Sequence, residues 1–312
     1  MTNCTYSVIA PVYNEEKNLT QLYRRITEVM EGINTTYEMI LVDDGSRDSS
    51  LEIMKDFHQK DHRVKVISFS KNFGQQTAIT AGINFAQGEA AIILDADLQD
   101  PPELIGKMIE KWKEGYEVIY AVRKRRKENL FKRTAYTLFY RILKRLSTID
   151  IPLDAGDFSL IDRKVIKCLN SLPEKNRFVR GIRSWVGFKQ IGLEYERDQR
   201  HSGEPKYTFG KLLKLASDGI FSFSFVPLRI TLFAGLVLFT IGLISLLFTF
   251  IDGIFSLHLP SLGFILLSIV LLLGGIQLIG IGVVGEYLGR VYDEVKGRPL
   301  YITKELIGFD QK

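Results

Sequence analysis

Hydrophobic and polar positions give the two halves of the chain different rhythms. Up to about residue 125, short apolar runs alternate with amphipathic stretches. YSVIAPV (6–12), YEMILVDD (37–44), VKVISFS (64–70), AAIILDAD (90–97) and YEVIYAV (116–122) read as strands. Residues 15–32, 49–60, 74–87 and 102–114 read as helices between them. Several strands are continuously apolar, as strands covered on both faces are. The alternation predicts βαβ units and an α/β fold with a mostly parallel sheet. Open sheets of this kind bind ligands beyond the carboxyl ends of their strands. The acids of VDDGS and LDADLQ fall at such ends.

The far half carries two long apolar runs, 228–251 and 262–285. Each has about 24 residues and no polar face, enough to cross a bilayer core of about 30 Å. The connector DGIFSLHLP holds no Lys or Arg. Lys211, Lys214 and Arg229 precede the first run, and Arg290, Lys296 and Arg298 follow the second. That bias predicts both ends in the cytoplasm and the connector outside. GIGVVG (280–285) matches a dinucleotide-loop pattern, but it lies inside an expected span with no strand before it. Close helix packing through Gly280, Gly285 and Gly289 is the expected use. Residues 125–147 place Phe131, Ala135, Leu138, Phe139, Ile142 and Leu146 at helical spacing among Arg133, Arg141, Lys144 and Arg145. Such a basic amphipathic helix suits a membrane interface, and equally a helix packed on its own domain with a solvated basic face. FGKLLKLASDGIFSFSF offers a second interface helix at 209–227.

Composition narrows the classes. The 312 residues allow two domains, or one domain and a membrane part. The formal net charge of +5 is mild, and no nucleic-acid recognition motif accompanies it. Two cysteines, Cys4 and Cys168, make neither a disulfide framework nor a metal site, which fits a reducing compartment. The N-terminus lacks the basic start and apolar core of a signal peptide.

The candidate chemistry centres on DADLQ. If strand geometry persists, Asp95, Asp97 and Gln99 project to one side and Ala96 and Leu98 to the other. Two close carboxylates repel unless a cation lies between them. Oxygen ligands suit a hard cation, and Mg²⁺ commonly takes one or two carboxylates together with substrate phosphates. By itself the pattern is a weak signal, since acids after strands also cap helices. VDDGS likewise suits a cap for the helix that follows.

SVIAPVYNEEKNL, YEMILVDDGSRDSS, KNFGQQTAITAGINFAQGEAAIILDADLQDPPELI and GVVGEYLGRVYDEVKGRPLY together carry a resemblance over nearly the whole chain. It is similar to the inverting GT-A-fold (Rossmann-like) glycosyltransferases of family 2 that act on polyprenyl phosphates, a group including dolichol-phosphate mannose synthase. Within them it most resembles the bacterial bactoprenol glucosyltransferases. The resemblance implies transfer of one sugar from a UDP-linked donor to undecaprenyl phosphate, with Mg²⁺ or Mn²⁺. It implies that Pro11, Tyr13 and Glu15 hold the base and ribose, that Asp44 reads the base while Asp43 is structural, and that Asp95, Ala96, Asp97 and Gln99 serve the metal and the donor diphosphate. It implies Arg123 and Arg133 for the acceptor phosphate. Asp157 matches an acid described as a catalytic base, with orientation of a sugar hydroxyl or an arginine as the other reading. Arg200 and Lys206 match a loop closing on donor phosphates, although Pro205 stands where relatives usually carry Ser or Thr.

The expected layout is a catalytic domain at 1–208, an interface helix at 209–227, a membrane hairpin at 228–285 and a cytoplasmic tail at 286–312. The chain would sit in a bacterial inner membrane. A downstream flippase is an expected partner, and a homo-oligomer is left open. A processive polysaccharide synthase is the rival enzyme, but RGIRSW departs from the QxxRW such enzymes carry, and two spans leave little material for a channel. A non-catalytic scaffold binding nucleotide sugar or lipid is the rival of another class, and the intact DADLQ speaks against it.

Overall fold

The computed structural model describes residues 4–123, 155–175, 177–196 and 262–309, with scattered positions between 231 and 244. The basic segment with Arg133, the loop with Arg200 and Lys206, the segment 209–227 and most of the first apolar run lie outside the described residues. Strands are β1 (Tyr6–Val12), β2 (Tyr37–Asp43), β3 (Val64–Phe69), β4 (Ala90–Ile93), β5 (Val118–Arg123), β6 (Ala155–Asp162), β7 (Gln190–Tyr195) and β8 (Thr303–Ile307). Helices are α1 (Leu19–Gly32), α2 (Ser50–Lys60), α3 (Gln75–Phe85), α4 (Leu104–Lys113), α5 (Arg163–Ser171), α6 (Val179–Trp185) and α7 (Leu262–Val295).

One sheet contains all eight strands in the order β7-β5-β6-β4-β1-β2-β3-β8. Neighbouring pairs among β1 to β4 are parallel, as are β5 and β7. β6 lies antiparallel between β4 and β5, and β8 lies antiparallel to β3. Every residue of β1 and β2 is buried, the outcome expected of apolar runs covered on both faces. Tyr6, Val8 and Ala10 pack with Leu22, Ile26, Met54 and Met108. Ile9, Ile40 and Val42 pack on the other face with Ala78, Ile79, Val165 and Ile182. Gly82 lets α3 settle on β1, because a Cβ there would sit 2.2 Å from Ile9 Cγ2.

Strand order reverses between β1 and β4, and the crevice opens there. Pro11 marks the parting: it pairs with Val42 of β2, whereas the β1–β4 ladder stops at Ile9 and Ile93. A proline has no N–H to carry the ladder on to β4, so it fits where that neighbour leaves. The strand expected over 90–97 therefore ends at Ile93. Residues 96–98 turn, with Leu98 at φ 60. The helix expected from residue 15 starts at Leu19, after Asn14 at φ 53 and a turn.

α7 runs 34 residues, past the expected span end at 285. The first charged residue within it is Glu286. Counted over the described residues, no helix is long and apolar enough to cross a membrane. The side chains of α7 are described only in part, and those described include Leu278 and Ile281, 71 % and 67 % exposed. GIGVVG is helical as expected. However, a Cβ at Gly280, Gly285 or Gly289 would meet nothing within 4 Å, so the expected small-residue packing is not met among the described residues. Of the expected tail at 286–312, the described residues run to 309 and make contact with the sheet. β8 joins the catalytic sheet, Tyr301 stacks on Phe69 with centroids 4.9 Å apart, and Lys175 N donates to Glu294 Oε1 at 2.7 Å.

Candidate active site

The loops after β1 and β2 are stitched together by polar side chains. Asn14 N donates to Ser46 Oγ (3.0 Å), Arg47 N to Asn14 Oδ1 (2.8 Å), and Glu15 N to Ser50 Oγ (2.9 Å). Glu15 Oε2 in turn accepts from Asn18 Nδ2 at 2.6 Å. Next to this seam lies an open pocket of about 280 Å³, lined by Tyr13, Asp43, Gly45, Arg47, Lys71 and Lys304 among others. Gly45 is at φ +70, and a Cβ there would sit 2.6 Å from the Lys71 carbonyl carbon, so only glycine fits. Of the residues expected at the base and ribose, Tyr13 lines this pocket. Pro11 stays in the strand and Glu15 faces the start of α1.

The two aspartates of VDDGS have different jobs. Asp43 Oδ1 accepts from Ser46 N (2.9 Å) and Oδ2 from Ser68 Oγ (2.9 Å) on the pocket floor. Asp44 reaches the start of α3, where Phe73 N (2.6 Å) and Gly74 N (3.1 Å) donate to Oδ1. Burial dominates its titration and pushes its pKa up to about 6, against the two N–H donors.

Across the crevice, burial alternates along DADLQD as the sequence suggested, although a turn and not a strand produces it. Asp95, Asp97 and Gln99 are half-buried, while Ala96, Leu98 and Asp100 are buried. Gln75 Nε2 donates to Asp95 Oδ1 at 2.7 Å, and Gln99 N to Asp97 Oδ1 at 3.2 Å. Burial, with repulsion from Asp100, Asp157 and Asp97, pushes the Asp95 carboxyl up to about 8. Arg123 ends β5 beside this group. Burial works against its charge, but Asp100 and Tyr195 keep its pKa raised. Tyr195 Oη donates to Asp100 and accepts from Arg123 Nε at 3.4 Å.

Asp157, on β6, completes the cluster. Arg180 Nε donates to Oδ1 at 2.8 Å, Arg180 Nη2 to Oδ2 at 3.4 Å, and Gln76 Nε2 to Oδ2 at 3.0 Å. Gln76 Oε1 also accepts from Val179 N at 2.9 Å, tying α3 to α6. Burial alone would raise the Asp157 pKa; Arg180, Arg183 and Gln76 outweigh it and hold the carboxyl below its ordinary value. Arg183 is 1 % exposed, with its guanidinium 5.5 Å from the Tyr120 ring centre.

Sequence reasoning placed Asp95, Asp97, Arg123 and Asp157 in one region, and the fold brings them together. It missed Gln75, Gln76, Asp100, Arg180, Arg183, Tyr195 and Lys304. QQT at a helix start and the paired arginines of RGIRSW were the available signals. Among the described residues, no group of three or more His, Cys, Asp and Glu could by itself hold a metal ion. The oxygen-only pair Asp95 and Asp97 fits a hard cation that completes its shell on substrate phosphate. The crowding that raises Asp95 is the kind of repulsion a cation relieves.

Comparison with known proteins identifies the family. The model of the family "Glycosyl transferase family 2" matches residues 7–169, and that of the "GtrB C-terminal hairpin" matches 226–291. An uncharacterized glycosyltransferase of Bacillus subtilis, YkcC, is 50 % identical over 98 % of this chain and 95 % of its own. An uncharacterized glycosyltransferase of Synechocystis is 43 % identical over 97 % and 96 %. The SfII prophage-derived bactoprenol glucosyl transferase of Shigella flexneri is 40 % identical over 96 % and 97 %. Among solved structures, glucosyl-3-phosphoglycerate synthase from Mycobacterium tuberculosis, in complex with Mn²⁺, UDP and phosphoglyceric acid, is 19 % identical, with a TM-score of 0.49 over 70 % of this chain and 76 % of that one. The family match over half the chain, and full-length relatives at 40–50 % identity, carry one conclusion: this chain belongs to glycosyl transferase family 2.

Proposed function

We propose that this chain transfers one hexose, glucose in the first instance, from a UDP-sugar to undecaprenyl phosphate at the cytoplasmic face of a bacterial inner membrane. The observation that carries the reading is the crevice at the β1–β4 switch point. It sets an acidic pair, Asp95 and Asp97, opposite Arg123 in a chain whose near-full-length relatives include a bactoprenol glucosyl transferase. The pocket with Tyr13 and Asp43 takes the nucleoside, and Asp44 holds residues 73–74, next in sequence to the Asn72 that lines it. Ala96 and the loop with Arg200 and Lys206 serve the donor diphosphate, and Arg133 supports the acceptor. Asp95, Asp97 and Gln99 would hold a Mg²⁺ or Mn²⁺ ion, which would supply positive charge for the departing diphosphate.

The acceptor is a phosphate monoester, largely dianionic at pH 7, and is already a nucleophile. One of its oxygens bonds to the anomeric carbon from the face opposite the diphosphate. The bond from that carbon to the donor's diphosphate oxygen breaks, and UDP leaves with the electron pair. No proton has to move. Inversion follows from a single displacement.

Membrane attachment through the hairpin is supported by the family match at 226–291, by the uncharged run up to Gly285 and by the exposed apolar side chains of α7. The sheet adds a parity argument. The chain leaves the catalytic sheet after β7 and rejoins it at β8, so any crossings between them are even in number. Two spans with both termini in the cytoplasm meet that condition. Because the product forms inside, a flippase is the class of partner that would move it out.

Radiolabelled UDP-sugars, tried one at a time with undecaprenyl phosphate in vesicles, test the reading. Label entering an organic-extractable lipid, one sugar per lipid, is expected. A growing polymer would favour the processive reading, and binding without transfer the scaffold.

A further inference from the structure

An acceptor dianion must approach a donor that is itself anionic, so it needs cations not already spent on the metal or the diphosphate. Two guanidiniums from distant parts of the chain converge at the start of β6. Arg123 lies over Gly156, where a Cβ would stand 3.3 Å from its Nη2, and Arg180 grips the next residue, Asp157. Among the described residues, Arg183 lies behind this pair and also acts on Asp157, while Arg123 is held by Tyr195 and Asp100.

We propose that Arg180 binds the acceptor phosphate together with Arg123, and that Asp157 is the positioning residue that clamps Arg180. This rests on the reading that the acceptor is a polyprenyl phosphate. Exposure decides the roles within the pair: the Arg180 side chain is 21 % exposed and that of Asp157 only 4 %. The arginine is the accessible face of the pair and the carboxylate its support. Both Asp157 oxygens already accept from Arg180 and Gln76, a poor arrangement for a base that must take a proton from a substrate. The displacement needs no base in any case. Arg183, sealed behind, adds charge that keeps Asp157 ionised.

The position of α6 points to lipid as the source of the phosphate. The loop leading into it is tied to the far end of α7, with Lys175 N on Glu294 Oε1 at 2.7 Å and Lys175 Nζ on the Arg298 carbonyl. The loop that precedes Arg180 is therefore anchored on the segment that arrives from the proposed hairpin, and that segment then runs on to Lys304. A headgroup held at the bilayer surface reaches that side of the crevice, whereas the nucleoside pocket lies by β2 and β3.

The test uses the full chain in detergent micelles, geranyl phosphate as a soluble acceptor probe, and UDP as a donor probe, with binding followed by calorimetry. Arg180→Ala should weaken geranyl phosphate binding about 10- to 100-fold, the range for a charge-assisted hydrogen bond, while UDP affinity changes less than about twofold. Asp157→Asn should weaken it in the same direction, and the double variant should be little worse than the worse single one. The shape of the pH profile of kcat/KM should survive Asp157→Asn. If Arg180→Ala does not fold, by the criterion of UDP binding, Arg180→Lys serves in its place. It keeps the charge and loses the two-pronged grip, so weakening of about 3- to 10-fold is expected. Unchanged geranyl phosphate affinity in the folded arginine variant overturns the proposal. So does an Asp157→Asn enzyme that keeps acceptor affinity but loses the acid limb of its profile, which is the signature of a base. Wild-type protein that binds UDP but no geranyl phosphate overturns the acceptor reading itself.

Discussion

Replacing Asp44 with asparagine should flatten part of the pH dependence of the catalytic domain's stability. Asp44 is 3 % exposed, and burial, helped by repulsion from Asp43, pushes its pKa from 3.8 to about 6. A folded state that holds a proton more tightly than the unfolded chain is favoured at low pH. That contribution is full below about pH 3.8 and is lost as pH rises through about 6. A shift of roughly two units at 1.36 kcal/mol each amounts to about 3 kcal/mol. Between pH 4 and 7 the wild type should lose about that much more stability than Asp44→Asn, or about 6–12 °C in Tm for a domain near 200 residues. Both tryptophans, Trp112 and Trp185, lie in the sheet domain, so their fluorescence follows this domain and not the hairpin. Trp112 packs edge-on against Tyr6 at 5.6 Å and donates to Asp162, which makes it a sensitive reporter. Parallel Tm curves for the two proteins would refute the argument. The same pair tests whether Asp44 reads the base. If it does, wild-type UDP affinity tightens through pH 6 relative to the variant; if Asp44 only holds residues 73–74, the two affinities keep a constant ratio.

Asp97→Ala should cut transfer at least about 100-fold while the protein still folds, since Asp97 is half-buried at the crevice and no part of the apolar core. EDTA should do the same to wild type, reversibly with Mn²⁺, and full activity in EDTA would sink the metal assignment. Gly45→Ala forces a side chain to φ +70 and against the Lys71 backbone, and should cost about 2 kcal/mol or more and weaken UDP binding. An unchanged Tm would show that the loop yields freely. A cysteine at position 256 should react with impermeant reagent on intact cells and one at 312 should not; the reverse pattern would overturn the hairpin topology.

The sequence by itself determined the central βαβ units, the acids at their strand ends and the apolar runs near the C-terminus. These are local signals: a continuous apolar run buries both faces of a strand, and a helix shows its period within three turns. Strand pairing is not local. β6 enters between β4 and β5, β7 takes one edge, and β8 returns from beyond α7 to the other, and none of these was anticipated. Their residues pair with partners up to more than two hundred positions away, which no window along the chain reports. The site follows the same division. DADLQ was legible because its acids are neighbours in sequence. The clamp of Arg180 on Asp157, the Tyr195–Asp100–Arg123 contact and Lys304 in the pocket with Tyr13 each join separate segments, so only the folded sheet brought them together. The end of β4 was decided in tertiary structure too. AAIILDAD keeps a strand-like pattern to Asp97, but the ladder stops at Ile93, where β1 reaches a proline and its neighbour has to turn away.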